Sequence, residues 1–223
     1  MKKIFIVTEG ASEEHFAKAI LSPHFLDFDK IIIPIKVLTK KDDRHGKMHK
    51  GGITSYSKMQ TTLCPVLRQA SASKDSYVTT MIDFYALPTD TPNYASAMKH
   101  HNAYEAVKEI EEAISDKEGF KQIFFPYIQL HEFEALLFAD IEQLTTEYFN
   151  SDIDELRQVS IIQPNPELIN NTPNTAPSKR ILKVIPAYDK TVAGIEILRK
   201  IGLNKLRQKC QHFNDWITLL EQI

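Results

Sequence analysis

Three apolar runs in this 223-residue chain finish in carboxylates. Ile4-Phe5-Ile6-Val7-Thr8 runs into Glu9-Gly10-Ala11-Ser12-Glu13-Glu14, Tyr77–Ile82 ends on Asp83, and Ile123–Leu130 ends on His131-Glu132-Phe133-Glu134. If these runs are strands of an open α/β sheet, their acids reach the crevice beyond the strand carboxyl ends, where such folds bind ligands. Hard oxygen donors suit Mg²⁺ or Mn²⁺ better than zinc. The chemistry this suggests is metal-assisted cleavage of a phosphodiester.

Each acid also has a plainer account. Glu9 and Glu13 are four apart across a strand-to-helix turn, where helical spacing lets Glu13 face back towards Glu9 and Gly10 permits a tight turn. Glu13 and Glu14 can equally complement a helix dipole, at roughly 0.3–1 kcal/mol each, which leaves Glu9 unexplained. Asp83 can cap a turn, although an ionised carboxylate at the end of a buried strand is costly unless paired or on a cation. His131 and Glu134 are three apart and can face the same way. A zinc protease would need a second histidine where Ala135 stands, so that class is excluded. The expected metal ligands are Glu9, Glu13, Asp83, Glu132 and Glu134, with His131 as acid or base.

Ser178-Lys179-Arg180 follows Pro177, a strong helix start, and helix N-termini bearing such residues take up phosphate oxygens. Lys179 or Arg180 would then neutralise a phosphate in the transition state, the alternative being a basic surface turn. Tyr188-Asp189-Lys190 is a weaker signal of the same kind. No glycine-rich GxxxxGK[ST] loop is present, which excludes a P-loop ATPase.

These residues need a scaffold. Lys3–Thr8, Lys30–Leu38, Tyr77–Ile82 and Gln122–Leu130 read as strands, with Pro34 marking an edge or a bulge. Between them, a helix capped by Ser12 should end near Pro23, and Ser55–Gln69 and Tyr104–Ile114 show helical periodicity. A helix over Glu132–Ala139 and a short one near Ile141–Phe149 follow. Thr39–Gly52 reads as a basic loop, and Gln163–Pro177 as a proline-rich one. Lys179–Ile185, Val192–Ile201 and Cys210–Gln222 read as helices, the last burying Trp216, Leu219 and Leu220. Strand and helix alternate, so the expected fold is α/β: a mostly parallel, Rossmann-like sheet flanked by helices over 1–150, with a helical extension over 151–223 packed on it.

Composition narrows the class. With 43% hydrophobic and 25% charged residues the chain is of ordinary globular type, and it lacks an apolar run of ~18 residues, so no membrane span is expected. The first apolar run stops at Thr8-Glu9, too short for a secretion signal, and a cytoplasmic location is expected. Cys64 and Cys210 give neither a disulfide framework nor a zinc spacing. The net charge of −2 argues against strong unaided binding to a polyanion. However, basic residues concentrate over Lys36–Lys50 and Ser178–Cys210 and can guide a phosphate backbone to an acidic centre.

The chain resembles a Toprim-like family of bacterial proteins of unknown function (domain of unknown function 4276), related to the nucleases that accompany OLD-type ATPases. The resemblance is carried by Val7–Glu13, Thr80–Pro88, Pro126–Glu134, Pro166–Asn170, Ala176–Arg180, Tyr188–Lys190 and Cys210–Trp216. It implies a Toprim-like sheet, with Glu9 as the glutamate after the first strand and Asp83 as the first acid of the later pair. Tyr85 stands where the second aspartate of that pair belongs, so Glu132 or Glu134 would have to replace it. It further implies Mg²⁺ or Mn²⁺, a nucleic-acid substrate with DNA ahead of RNA, an AAA- or ABC-type ATPase partner, and a part in anti-phage defence. The alternative is a catalytically inactive binding subunit of such an ATPase.

Overall fold

The computed structural model describes residues 1–37, 52–85, 87–169 and 175–223. Apart from Gly52, the expected basic loop over Thr39–Gly52 lies outside the described residues, as does 170–174 of the proline-rich loop.

β1 (Lys2–Thr8), β2 (Lys30–Lys36), β3 (Ser76–Asp83), β4 (Phe124–Phe125) and β5 (Ile128–Gln129) form one sheet of order β2-β1-β3-β4, with β5 also on β3. Every pairing is parallel. Side chains alternate across the sheet at the strand period of two. Ile4 and Ile6 enter one core with Phe16, Phe133, Leu198 and Trp216, while Phe5 and Val7 enter another with Leu63, Val78, Val107 and Phe124. This is the expected α/β arrangement of a parallel sheet with a helical layer on each face. Pro34 sits in β2, which among the described residues pairs only with β1, so its missing N–H falls on a sheet edge.

Local departures from expectation have physical causes. The fourth strand is two short pieces because Thr80 interposes its hydroxyl, which donates to the Tyr127 carbonyl (2.8 Å) and accepts the Tyr127 N–H (2.9 Å). Ser12 does not cap the first helix, α1 (Ala11–Phe16); Gly10 is the cap residue, and its N–H donates to Glu13 Oε2 at 2.8 Å. Pro23 does not end the helical run either. A π-turn over Ala17–Leu21 widens the helix just before the proline, and α2 (Ser22–Leu26) carries on past it. The stretch after His131 is a 3₁₀-helix over Phe133–Thr146, broken at Asp140, rather than α-helix.

On the other face lie α3 (Tyr56–Ser71), which keeps Pro65 inside it, α4 (Tyr94–Ala97) and α5 (Ala103–Glu118). The C-terminal third adds α6 (Asp154–Ile162), unmarked in the sequence reading, then α7 (Pro177–Val184), α8 (Ala193–Ile201), α9 (Leu203–Lys209) and α10 (Gln211–Gln222). Ile181, Leu198, Trp216 and Leu220 from this third share a core with Ile4 and Ile6. Leu219, expected to be buried, is 37% exposed.

A polar device docks α10. Glu167, fully buried in the turn Pro166–Leu168, accepts the N–H groups of His212 (3.0 Å) and Phe213 (2.8 Å) and the Tyr104 hydroxyl (2.8 Å). It thereby satisfies donors that a helix start leaves unpaired. His212 Nε2 in turn meets Glu111 Oε1 at 3.0 Å, and that oxygen also takes the Ile128 N–H at 2.7 Å. Tyr127 stacks between His212 and Trp216, and the indole N–H donates to Thr79. No helix among the described residues is long and apolar enough to cross a membrane.

Candidate metal centre

From β1 the chain passes to β2 on one side and then to β3 on the other. The switch point therefore falls between β1 and β3, where an open parallel sheet forms its ligand crevice. Glu9 extends the β1–β3 pairing by one bond, its N–H donating to the Met81 carbonyl at 3.1 Å, and its Oε2 accepts the Asp83 N–H at 3.1 Å. Two residues 74 apart in the chain are thus held together by strand pairing and by the Glu9 carboxylate on the Asp83 backbone. Gly52 also borders Glu9: a Cβ there would lie 3.6 Å from Oε1.

The third segment arrives from β5. The N–H groups of Phe84 and Tyr85 donate to the carbonyls of Gln129 and His131, so β3 and the β5 extension stay paired to the crevice. His131 then turns the chain with φ +61°, a left-handed conformation that an L side chain adopts at a cost. Glu132 and Glu134 follow at once, both buried.

Electrostatics show how closely these groups sit. Burial pushes Asp83 well above the ordinary carboxylate range, and the charges of Glu9, Glu13, Glu134 and Glu132 push it further. Burial likewise raises Glu9 to about 7, reinforced by Glu13 and Glu134 and opposed by the Asp83 N–H and Lys190. Glu134 is also raised to about 7, chiefly by burial, with Glu132 and Glu13 adding to it and Lys190 opposing. Glu13 is raised by burial too, against its hydrogen bonds and Lys190. Five carboxylates from three segments therefore share one field.

Among the described residues, Lys190 is the cation in that field. Its Nζ lies 3.9 Å from Glu134 Oε1. Burial opposes its charge, but Glu134, Glu13, Asp83 and Glu9 overcome this and raise its pKa. Its side chain is nonetheless 58% exposed, against 5% for Glu134, so the ammonium faces outward from a buried acidic floor. The sequence signal was the short stretch Tyr188-Asp189-Lys190; nothing local could show that it folds back onto β1 and β3.

The other sequence candidates are placed as follows. Burial lowers His131 to about 4, so its ring is neutral at neutral pH. The Ser178 N–H at the start of α7 donates to Glu132 Oε2 at 2.9 Å, so this helix start meets an acid of the protein itself. Arg180 Nε is engaged with the Thr175 carbonyl at 2.6 Å, and Lys179 is exposed.

Whether these residues suit a divalent cation can be judged from their unpaired atoms. Among the described residues, five buried side-chain polar atoms lack a hydrogen-bond partner, and two of these are Asp83 Oδ1 and His131 Nδ1. Ser12 Oγ on α1 and Tyr188 Oη beside Lys190 are two more. Such atoms are expensive to leave unpaired; three of the five lie on the segments that carry the acids, and a fourth on the turn that carries Lys190. The donor chemistry fits a hard cation. As they stand, however, no three or more His, Cys, Asp or Glu side chains among the described residues are disposed to hold a metal ion. The hydrogen bonds supply the reason. Glu9 is turned to the Asp83 N–H, Glu13 to the Gly10 N–H and Glu132 to the Ser178 N–H, while Glu134 faces Lys190.

The chain matches the family model described as Domain of unknown function (DUF4276) over residues 8–221. No curated protein matches it. Among solved structures it is similar to the C-terminal region of the Xanthomonas campestris pv. campestris OLD protein, in two forms. The form phased with iodine has 14% identity and a TM-score of 0.41, covering 99% of this chain and 98% of that one. The form phased with mercury has 13% identity and a TM-score of 0.41, covering 97% and 96%.

Proposed function

We propose, from the premise that the chain belongs to the DUF4276 family, that it is a metal-dependent protein that cleaves nucleic-acid phosphodiesters, with DNA as the preferred polymer. The observation that carries this is the meeting of acids from β1, β3 and the β5 extension at the sheet's switch point, around an Asp83 oxygen that has no hydrogen-bond partner among the described residues.

Asp83 and Glu9 would hold Mg²⁺ or Mn²⁺, joined by Glu13, Glu132 or Glu134 once these leave their present partners. Such a cation lowers the pKa of bound water and offsets charge on the leaving oxygen. The chain's own groups do the rest. Lys190, exposed above buried acids, neutralises a phosphate oxygen of the incoming backbone. Neutral His131, its basicity lowered by burial, orients water through Nδ1 and is not the charged imidazolium acid at neutral pH. Lys179 stands beside the α7 start as a second backbone contact, while Arg180 has a structural task. The resemblance to Toprim-like defence proteins adds a cytoplasmic setting, an ATPase partner and anti-phage defence to this reading.

The test is nicking of supercoiled DNA in Mn²⁺. Wild-type protein nicks it and Glu9→Gln does not; equal cleavage by both removes Glu9 from the mechanism. A second reading has its own support. Tyr85 replaces an expected acid, and no three ligands are disposed around a metal among the described residues. The chain would then be a binding subunit of an ATPase assembly, and Mn²⁺ would leave its melting midpoint unmoved.

A further inference from the structure

Lys190 sits in an exposed turn, yet the turn is held at many points. The Asp189 Oδ1 accepts three hydrogen bonds, from the N–H (2.7 Å) and hydroxyl (2.7 Å) of Thr191 and from the Val192 N–H (3.1 Å). Those N–H groups lead into α8, so one carboxylate oxygen closes the turn immediately before the helix. The Asp189 N–H donates to the Tyr148 hydroxyl (3.0 Å), and the Asp189 carbonyl accepts the Gly194 N–H (2.9 Å). Next along, the Thr191 carbonyl meets His15 Nδ1 of α1 at 3.1 Å. Tyr188 packs over Gly194 so closely that a Cβ there would come within 2.7 Å of its hydroxyl. The residue between these anchors is the one whose ammonium reaches Glu134.

The geometry points to Asp189 as a positioning residue: by fixing the 188–192 turn to α8 and against α1, it holds Lys190 over the acidic crevice. This rests on the cleavage reading above and deepens it. Asp189 itself need not touch substrate or cation, since its work passes through the lysine. The chemistry of its task requires an acceptor oxygen, not a charge. Asparagine retains an Oδ1 that can take the same three donors, whereas alanine does not. A long lysine side chain left on a loose turn spends much of its time away from the acids, and misplacement by about 1 Å can cost ~10²-fold in rate.

The experiment is a double-mutant cycle on Mn²⁺-dependent nicking of supercoiled DNA, with Mn²⁺-induced melting shifts recorded alongside. Asp189→Ala is expected to slow nicking by about tenfold or more and Lys190→Met by about 10²-fold. Asp189→Asn restores the wild-type rate. In the Lys190→Met background, Asp189→Ala has no further effect, because the lysine through which it acts is gone. Equal losses from Asp189→Ala in both backgrounds, or failure of Asp189→Asn to rescue, overturn the proposal while leaving the cleavage reading intact. A wild-type chain that neither nicks DNA nor shifts its melting point in Mn²⁺ overturns the cleavage reading and takes the role of Asp189 with it.

Discussion

Glu167 is completely buried, and its two oxygens take three hydrogen bonds. Asp83 also has an oxygen shut off from solvent, and among the described residues nothing donates to it. The same contrast runs through their neighbours. Glu111, near Glu167, is raised by burial but faces His212, whose own pKa is raised against burial by that partner. Glu9 and Glu134, near Asp83, are raised to about 7 and surrounded by further acids. One group of carboxylates is closed by the protein's own donors and docks α10. Among the described residues, the other has only Lys190 facing its acids and leaves Asp83 Oδ1 without a donor. Burial of acids is common to both groups; what separates them is whether the described residues supply donors that close them.

Mutation should separate them most sharply. Glu9→Gln is expected to reduce Mn²⁺-dependent nicking by ~10³-fold or more while the melting midpoint holds or rises, because a buried repulsion is removed. Glu167→Ala should do the reverse to stability. It strands the N–H groups of His212 and Phe213 and removes the acceptor of the Tyr104 hydroxyl, which keeps only its bond from the Asn165 amide, a loss on the order of 3–5 kcal/mol that chemical denaturation would read. A stable Glu167→Ala protein would erase the distinction between the two groups.

Acidity gives the next contrast. Glu9 and Glu134 have folded-state pKa values near 7 against an ordinary 4.5. Between those values the folded state keeps protons that the unfolded chain has released. Stability from these groups is therefore full below about pH 4.5 and is lost as the pH rises through 7. Each of the two groups should cost the metal-free protein on the order of 2–3 kcal/mol between pH 5 and 8 in denaturant titrations, and Asp83→Asn should flatten part of that slope. The cation competes with those same protons. At ~100 times its dissociation constant, Mn²⁺ should add about 2.7 kcal/mol near pH 8, with a smaller shift at the same Mn²⁺ concentration near pH 5.5. An Mn²⁺ shift independent of pH would place the ion elsewhere.

How much of this the sequence shows depends on how local the cause is. β1 and β3 were legible because uninterrupted β-branched and aromatic runs leave little choice, and with them came the positions of Glu9 and Asp83 at strand ends. The edge position of β2 was legible in Pro34 for the same reason. The split of the fourth strand was not, since it depends on a Thr80 hydroxyl from another strand. The cap of α1 was misread because Ser12 has the right chemistry, but Glu13 reaches back to Gly10 first. Lys190 was the largest gap. Its place beside Glu134 depends on a distant turn held through Asp189, Tyr148 and His15. Lys179 and Arg180 looked better placed on helix-start chemistry, yet Arg180 is engaged with Thr175. The closed group around Glu167 gave no sign at all, because a capping acid 45 residues from its helix has no spacing to recognise.

A crystal soaked in Mn²⁺ and measured at the manganese edge tests the central claim most directly. The account predicts an anomalous peak bonded to Asp83 Oδ1 and Glu9, with at least one of Glu13, Glu132 and Glu134 swung away from its present partner to join them. A peak only at other surface acids, with Asp83 still without a partner, would contradict it.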